Sequence, residues 1–208
     1  MTVAIIDYDV GNLKNVETAL KSLDMDCVIT RDARTINNAS AIVLPGVGAF
    51  ADAMNNLDKF DLYDVLVKNV KGGKYLLGIC LGMQLLFDES SEDGQWKGLG
   101  FVPGKVVRFE DTKKTGLKVP HMGWNNLNIH QPDDPIAKTL SDKDYVYFVH
   151  SYYAVPDHFD RDVVAYAKYG VKVPAIVRRE NVIGMQFHPE KSAAVGNQLL
   201  INWKELIS

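Results

Sequence analysis

Cys80 stands between Gly78 and Gly82 in the stretch Lys-Tyr-Leu-Leu-Gly-Ile-Cys-Leu-Gly-Met-Gln-Leu-Leu-Phe, residues 74–87. Gly-x-Cys-x-Gly is the spacing of a nucleophile elbow with a thiol in place of the hydroxyl. Glycines two residues to either side let the chain turn sharply and keep neighbouring side chains off the nucleophile. The same stretch also fits packing, because free cysteine is among the most buried residue types. Catalysis by a thiol requires a base, and an imidazole base works best when a third group fixes its tautomer. Of the five histidines, His121, His130, His150, His158 and His188, only His188 directly follows a convincing strand and has a carboxylate two residues on, in His188-Pro189-Glu190. With Pro189 limiting the backbone, Glu190 can turn to the ring of His188. On spacing alone a surface ion pair fits equally well. The His-x-Glu of zinc deaminases is set aside because it needs a downstream Cys-x-x-Cys, and no cysteine follows Cys80.

These residues need elements to hold them. Tyr75 to Ile79 is an apolar run after Gly72-Gly73 and predicts a buried strand; Leu81, Leu85 and Leu86 then fall at helical spacing, so Cys80 sits at a strand-to-helix junction. Unpaired N–H groups at that helix start favour the thiolate. Val3 to Ile6 predicts a first strand, ending at Asp7. Leu13, Val16, Leu20 and Leu23 mark an amphipathic helix, and Cys27 to Ile29 a second strand. Beyond the turn-rich Asp32 to Ser40, Ala41 to Leu44 reads as a third strand, followed at once by Pro45-Gly46-Val47-Gly48. Two glycines around one residue let the backbone approach a ligand closely, although a plain strand-to-helix turn fits the local sequence as well. Leu62, Val65, Leu66 and Val70 predict the helix that leads back to the elbow strand. Both glycine-rich loops therefore open on the carboxyl edge of one sheet, where α/β proteins bind ligands.

Ser90 to Gly100 reads as a surface loop. In the second half, 106–109, 126–129, 145–149, 163–169, 175–178 and 182–187 read as short strands that extend the sheet with antiparallel pairs, and a helix bearing Leu199, Leu200, Trp203 and Ile207 closes the chain. The expectation is an α/β fold: an open, mixed, mostly parallel central sheet flanked by helices, with additional antiparallel strands in the second half and one domain over 1–208.

The 208 residues are 47% hydrophobic and 24% charged, with 23 Lys and Arg against 26 Asp and Glu, a net charge of −3. That composition is ordinary for a soluble globular protein and carries no basic block for nucleic acid. Cys27 and Cys80 lie in no metal-ligand spacing, which points to a reducing cytoplasm and to neither a disulfide framework nor a zinc site. No apolar run approaches the roughly 18 residues of a membrane span.

The combination Gly-Ile-Cys-Leu-Gly-Met-Gln with His-Pro-Glu-Lys, joined by the Pro45–Gly48 loop, resembles the class I glutamine amidotransferase family, the triad glutaminases, over most of the chain. The resemblance implies a flavodoxin-like sheet and a triad of nucleophile Cys80, base and acid His188, and orienting Glu190, with no cofactor or metal. It implies glutamine as substrate, held by Gln84, Glu92, Ser151 and Tyr152, of which Gln84 and Glu92 also read as exposed polar residues. The oxyanion then falls to the N–H of Leu81 and to the loop of Gly46, Val47 and Gly48, whose peptide before or at Val47 must turn. Four segments, Asp7–Leu13, Pro45–Gly48, Pro120–Asn125 and Tyr147–Tyr152, are closer still to the branch of the family that serves histidine biosynthesis. Members of that branch form a heterodimer with a separate (β/α)8-barrel cyclase. That likeness places Asn12, Pro120, Met122, Trp124, Tyr147 and Lys191 at the cyclase, whereas from the residues alone Trp124 fits a strand aromatic and Tyr147 to Tyr153 a core strand.

Overall fold

A computed structural model of the chain describes residues 1–110 and 116–208. The apolar runs of the first half are too short for helices and form β1 (Thr2–Ile6), β2 (Asp26–Thr30), β3 (Ala41–Gly46) and β4 (Tyr75–Cys80). Between them lie α1 (Leu13–Ser22), α2 (Ala33–Asn38), α3 (Phe50–Lys59) and α4 (Leu62–Lys71). The four strands pair in parallel in the order β2-β1-β3-β4. Helices α1, α3 and α4 each bury an apolar stripe, whereas the short α2 buries Ile36 alone.

Because alternate strand residues point to opposite faces, β1 and β3 feed two cores. Val3, Ile5 and Val43 meet α1 through Val16 and Leu20, and the C-terminal helix through Leu199, Leu200 and Trp203. Ala4, Ile6, Ile42 and Leu44 meet α3 and α4 through Phe50, Met54, Leu57, Leu62 and Leu66. Every side chain in these two sets is buried. Each large apolar member contributes roughly 1.5–3 kcal/mol relative to exposure.

After Cys80 come α5 (Leu81–Gln84), β5 (Phe87–Ser90), β6 (Trp96–Lys97), β7 (Val102–Arg108), β8 (His121–Asn126), β9 (Asn128–Ile129), β10 (Tyr145–His150) and β11 (Tyr152–Pro156). Then follow α6 (Phe159–Asp162), β12 (Val163–Tyr169), β13 (Val171–Arg179), β14 (Val182–Met185), a 3-10 turn at Pro189–Lys191 and α7 (Ala193–Leu206). The full sheet runs β2-β1-β3-β4-β14-β13-β12-β9; β14 joins β4 in parallel and the last three strands are antiparallel.

The mixed, mostly parallel sheet is as the sequence implies, with four corrections. Strands from 106–109 and 145–149 do not extend the main sheet: β7 lies in a four-stranded sheet, β11-β7-β5-β6, and β10 pairs with β8 as a two-stranded ribbon. The surface loop at 90–100 contains β6, which pairs with β5. The turn-rich 32–40 segment holds α2, capped by the Asp32 carboxylate accepting the Thr35 amide. Helix α3 was not anticipated, although Phe50, Ala53, Met54 and Leu57 recur at its spacing.

Candidate active site

Cys80 ends β4 with φ +55° and ψ −112°, a conformation that side-chain-bearing residues rarely adopt. The flanking glycines are required by space: a Cβ on Gly82 would lie 1.8 Å from the Leu44 carbonyl oxygen, and one on Gly78 would lie 2.6 Å from that of Gly82. The helix after the elbow is a single turn, Leu81–Gln84, shorter than the leucine spacing implied, because Phe87–Ser90 continues as a strand. What the sulfur gains is therefore local N–H groups rather than the dipole of a long helix.

His188 is separated from β14 by two residues and is held by its own peptide. Its N–H donates to the Tyr147 carbonyl at 3.1 Å, and its carbonyl accepts from Ser192 Oγ at 2.6 Å. Ser192 Oγ in turn accepts the Tyr147 N–H at 3.0 Å, so ribbon strand β10 and His188 share one clamp. The ring Nδ1 donates to Glu190 Oε1 at 2.8 Å, with both side chains almost wholly buried. That bond turns Nε2 away from Glu190; it is buried and makes no hydrogen bond in this geometry. Burial opposes protonation of His188, but the Cys80 sulfur and the Glu190 carboxylate outweigh it and raise the ring to about 9. Protonation of His188 is thus favoured beside the Cys80 sulfur.

Cys80 and His188 line one cavity of about 370 Å³ together with Val47, Gly48, Leu81 and Gln84. Glu92, Ser151 and Tyr152 complete the set expected to hold substrate, and Pro120, Val149 and His150 add to the wall. Gly46 lies behind the wall, opposite Cys80 in the β3–β4 register, where a Cβ would meet the Tyr8 hydroxyl at 2.7 Å. The two loop glycines thus serve different ends: Gly46 permits close approach, whereas Gly48 has open space around it but sits at φ +98°. Tyr8 Oη donates to the Pro45 carbonyl at 2.6 Å, fixing the near end of this loop; its burial raises the hydroxyl above the ordinary tyrosine range and keeps it a donor.

Gln84 Nε2 donates to the Tyr152 carbonyl at 3.0 Å and to Gln186 Oε1 at 3.1 Å, so only its carbonyl end can serve a ligand's donor. Glu92 accepts the Phe50 amide at the start of α3 at 2.9 Å. Burial raises its carboxyl above the usual range although the amide works the other way.

His150 also ends a strand and faces the cavity, yet it is no rival base. Its Nδ1 lies 2.7 Å from the Tyr152 carbonyl and its Nε2 3.0 Å from His121 Nδ1, and burial lowers it to about 3. Sequence reading passed over His150, Tyr8, Gln186 and Ser192. Of these, Gln186 and Ser192 stand two residues before and two residues after the His188–Glu190 pair.

The residues expected at a partner lie outward. Ribbon β8–β10 has two faces: His121, Phe148 and His150 are buried inside, while Met122 and Trp124 are 65% and 53% exposed. Trp124 pairs with Tyr147 across the ribbon, edge to face at 6.1 Å. Asn12, Pro120 and Lys191 are exposed, and Pro120 reaches the cavity. Among the described residues no group of three or more His, Cys, Asp or Glu could hold a metal ion, and no helix is long and apolar enough to cross a membrane.

The family model described as glutamine amidotransferase class-I matches residues 4–205. The chain is 49% identical over 207 residues to the imidazole glycerol phosphate synthase subunit HisH of Carboxydothermus hydrogenoformans, covering 100% of both chains. It is 50% identical to the HisH subunit of Geobacillus kaustophilus over 97% of this chain and 95% of that one. A crystal structure described as a glutamine amidotransferase superposes with a TM-score of 0.76 at 21% identity, covering 99% of this chain and 98% of the other. PurLQS from Thermotoga maritima gives 0.78 at 18% identity over 100% and 99%. At those identities the structural likeness concerns the fold.

Proposed function

Because the chain belongs to the class-I glutamine amidotransferase family, we propose that it is the glutaminase subunit of an imidazole glycerol phosphate synthase, hydrolysing glutamine to glutamate and ammonia on Cys80. One observation carries this reading: a strained cysteine at an elbow and a buried His188–Glu190 pair line and back the same cavity.

The reaction follows from the groups present. The His188 imidazolium leaves Cys80 as thiolate, which attacks the side-chain amide carbon of glutamine and forms the C–S bond. The negative oxygen that results needs donors where its charge develops. The N–H of Leu81 supplies one, and the peptide at Gly46–Val47–Gly48 turns to supply another. His188 Nε2 then gives its proton to the amide nitrogen, the C–N bond breaks, and ammonia leaves a γ-glutamyl thioester. Neutral His188 next takes a proton from water, whose oxygen displaces the sulfur as glutamate forms, and the thiolate–imidazolium pair returns. Glu190 keeps the ring aligned through both transfers. Gln84, Glu92, Ser151 and Tyr152 hold the amino and carboxylate ends of the substrate.

Ammonia in water at neutral pH is mostly ammonium, a poor nucleophile, so it must travel sheltered to its acceptor. A (β/α)8-barrel cyclase seated on Asn12, Pro120, Met122, Trp124, Tyr147 and Lys191 covers the cavity mouth and receives it in a cytoplasmic heterodimer. Near-half identity over the full length to named subunits of that synthase supports the pathway, and all 208 residues act as one catalytic unit. The test is Cys80→Ala assembled with the cyclase: glutamine-driven synthesis disappears and synthesis from added ammonium salt survives. Loss of both overturns the reading.

A further inference from the structure

We propose that Gln186 positions the Cys80 sulfur for reaction, as the last donor of a buried hydrogen-bond chain that starts on the ribbon bearing Trp124. The direction of that chain is fixed by its middle. A carbonyl only accepts, so at the Tyr152 oxygen both His150 Nδ1, at 2.7 Å, and Gln84 Nε2, at 3.0 Å, must donate. A neutral His150 protonated at Nδ1 accepts at Nε2, so His121 Nδ1 donates to it at 3.0 Å. His121 Nε2 then accepts from Asn125 Nδ2 at 3.2 Å. From the other side of the carbonyl, the second N–H of Gln84 donates to Gln186 Oε1 at 3.1 Å.

This last bond decides which end of the Gln186 amide meets the nucleophile. Flipping the amide would set two NH2 groups against each other, so Oε1 stays at Gln84 and Nε2 faces Cys80 Sγ at 3.9 Å. Gln186 is completely buried, and its own backbone N–H is fixed to the Ala175 carbonyl at 2.9 Å. Apart from the backbone N–H groups of the elbow turn, the other polar groups around the sulfur are committed elsewhere or have no proton to give. Tyr8, beyond β1, donates to Pro45; His150, at the end of β10, uses both nitrogens; the Val149 carbonyl, 4.0 Å from the sulfur, has no proton to give. Across the cavity Glu92 accepts from Phe50, and beyond β14 Glu190 holds His188, whose Nε2 makes no hydrogen bond at rest. Gln186 therefore supplies an N–H to the sulfur in addition to the charge of the His188 ring beside it. A hydrogen bond to the charged form favours that form.

The proposal rests on Cys80 being the nucleophile of the glutaminase reaction. Its probe, iodoacetamide, needs neither glutamine nor cyclase, so failure of this contact and failure of the glutaminase reading are told apart. Alkylation of Cys80 in the full chain is followed by peptide mass, separately from Cys27, from about pH 5 to about pH 9, a span that brackets ordinary thiol titration. Gln186→Glu keeps the shape but turns an oxygen to the sulfur; Gln186→Asn keeps the amide but withdraws its N–H by one methylene. Both slow alkylation at pH 7 about tenfold and move the profile to higher pH, as loss of one charge-assisted hydrogen bond requires. In the assembled synthase kcat falls while KM for glutamine holds. A variant that folds, by circular dichroism, with a profile superimposable on the unmutated chain overturns the proposal. In the unmutated chain, the side-chain amide resonances of Gln186 shift when Cys80 is alkylated; resonances that do not move also overturn it.

Discussion

The backbone N–H of His188 donates to the carbonyl of Tyr147 at 3.1 Å, which ties the proposed base to the strand that faces outward beside Trp124. Ser192 closes the loop by accepting from Tyr147 and donating to His188. Ser192→Ala removes a buried hydroxyl and leaves the Tyr147 N–H and the His188 carbonyl each short of a partner. Stability falls by about 1–3 kcal/mol. Turnover of glutamine falls as well, because the ring of His188 loses the anchor of its own peptide. Denaturant unfolding and a steady-state glutaminase assay read the two effects. Unfolding unchanged within error removes the clamp.

Acid sensitivity follows from the inner face of the same ribbon. Burial lowers His121 to about 4 and His150 to about 3, so the native state keeps both neutral while the unfolded chain protonates them below about 6.5. The unfolded state then binds more protons, and stability falls as pH falls. The loss starts near pH 6.5 and runs to about 4 for His121 and about 3 for His150. Within that window each ring costs roughly 1.4 kcal/mol per pH unit. Unfolding free energies at pH 7, 6 and 5 check the slope, and His121→Phe, which keeps the stack on Phe148 and Tyr169, makes it shallower. An equal slope in that variant assigns the sensitivity elsewhere.

Much of this site could be read from residue types because its constraints are local. The elbow needs glycines at 78 and 82 within a few residues of the sulfur, and His188 with Glu190 needs only one turn of chain. The parallel half of the sheet was legible for the same reason: its strands are short unbroken apolar runs, and the helices after β1 and before β4 carry a readable period. What could not be read depends on distant pairing. Whether β7 and β10 join the main sheet is settled by their partners, β5 and β11 for one and β8 for the other, and alternation within a strand does not name its neighbour. Gln186 and Ser192 became visible only once the fold brought residue 80 to the first and residue 147 to the second. Helix α3 is the exception, since Phe50, Ala53, Met54 and Leu57 carried a readable period.

Glycines 48 and 82 separate conformation from space. At Gly82 a methyl group would overlap the Leu44 carbonyl, a backbone atom that cannot swing aside. Gly82→Ala therefore costs about 3 kcal/mol or more, or prevents folding. At Gly48 nothing lies within 4 Å of an added Cβ, and the penalty comes from φ +98° alone. Gly48→Ala costs about 1–2 kcal/mol and biases the Val47 loop, so glutaminase turnover changes far more than the melting curve does. Thermal melts and assays of the two variants distinguish these cases, and an inactive but fully stable Gly82→Ala contradicts the packing explanation.

Trp124 carries the prediction for assembly. It stands 53% exposed on the outer face of the ribbon, flanked by exposed Met122 and braced edge-on by Tyr147. An indole in water contributes little to the subunit's own fold, so Trp124→Ala changes its unfolding free energy by no more than about 0.5 kcal/mol. Covered by the cyclase, the same ring buries a large, stiff apolar surface of the kind that dominates interfaces. Losing about 2 kcal/mol there weakens the complex with the cyclase about thirtyfold. Because the ribbon's inner face leads through His121 and His150 toward the cavity, the variant also responds less to the cyclase in glutamine turnover, even at cyclase concentrations that saturate it. Titration calorimetry measures the affinity and a coupled assay measures the activation. An affinity equal to that of the unmutated subunit would remove Trp124, and with it the outer face of this ribbon, from the docking surface.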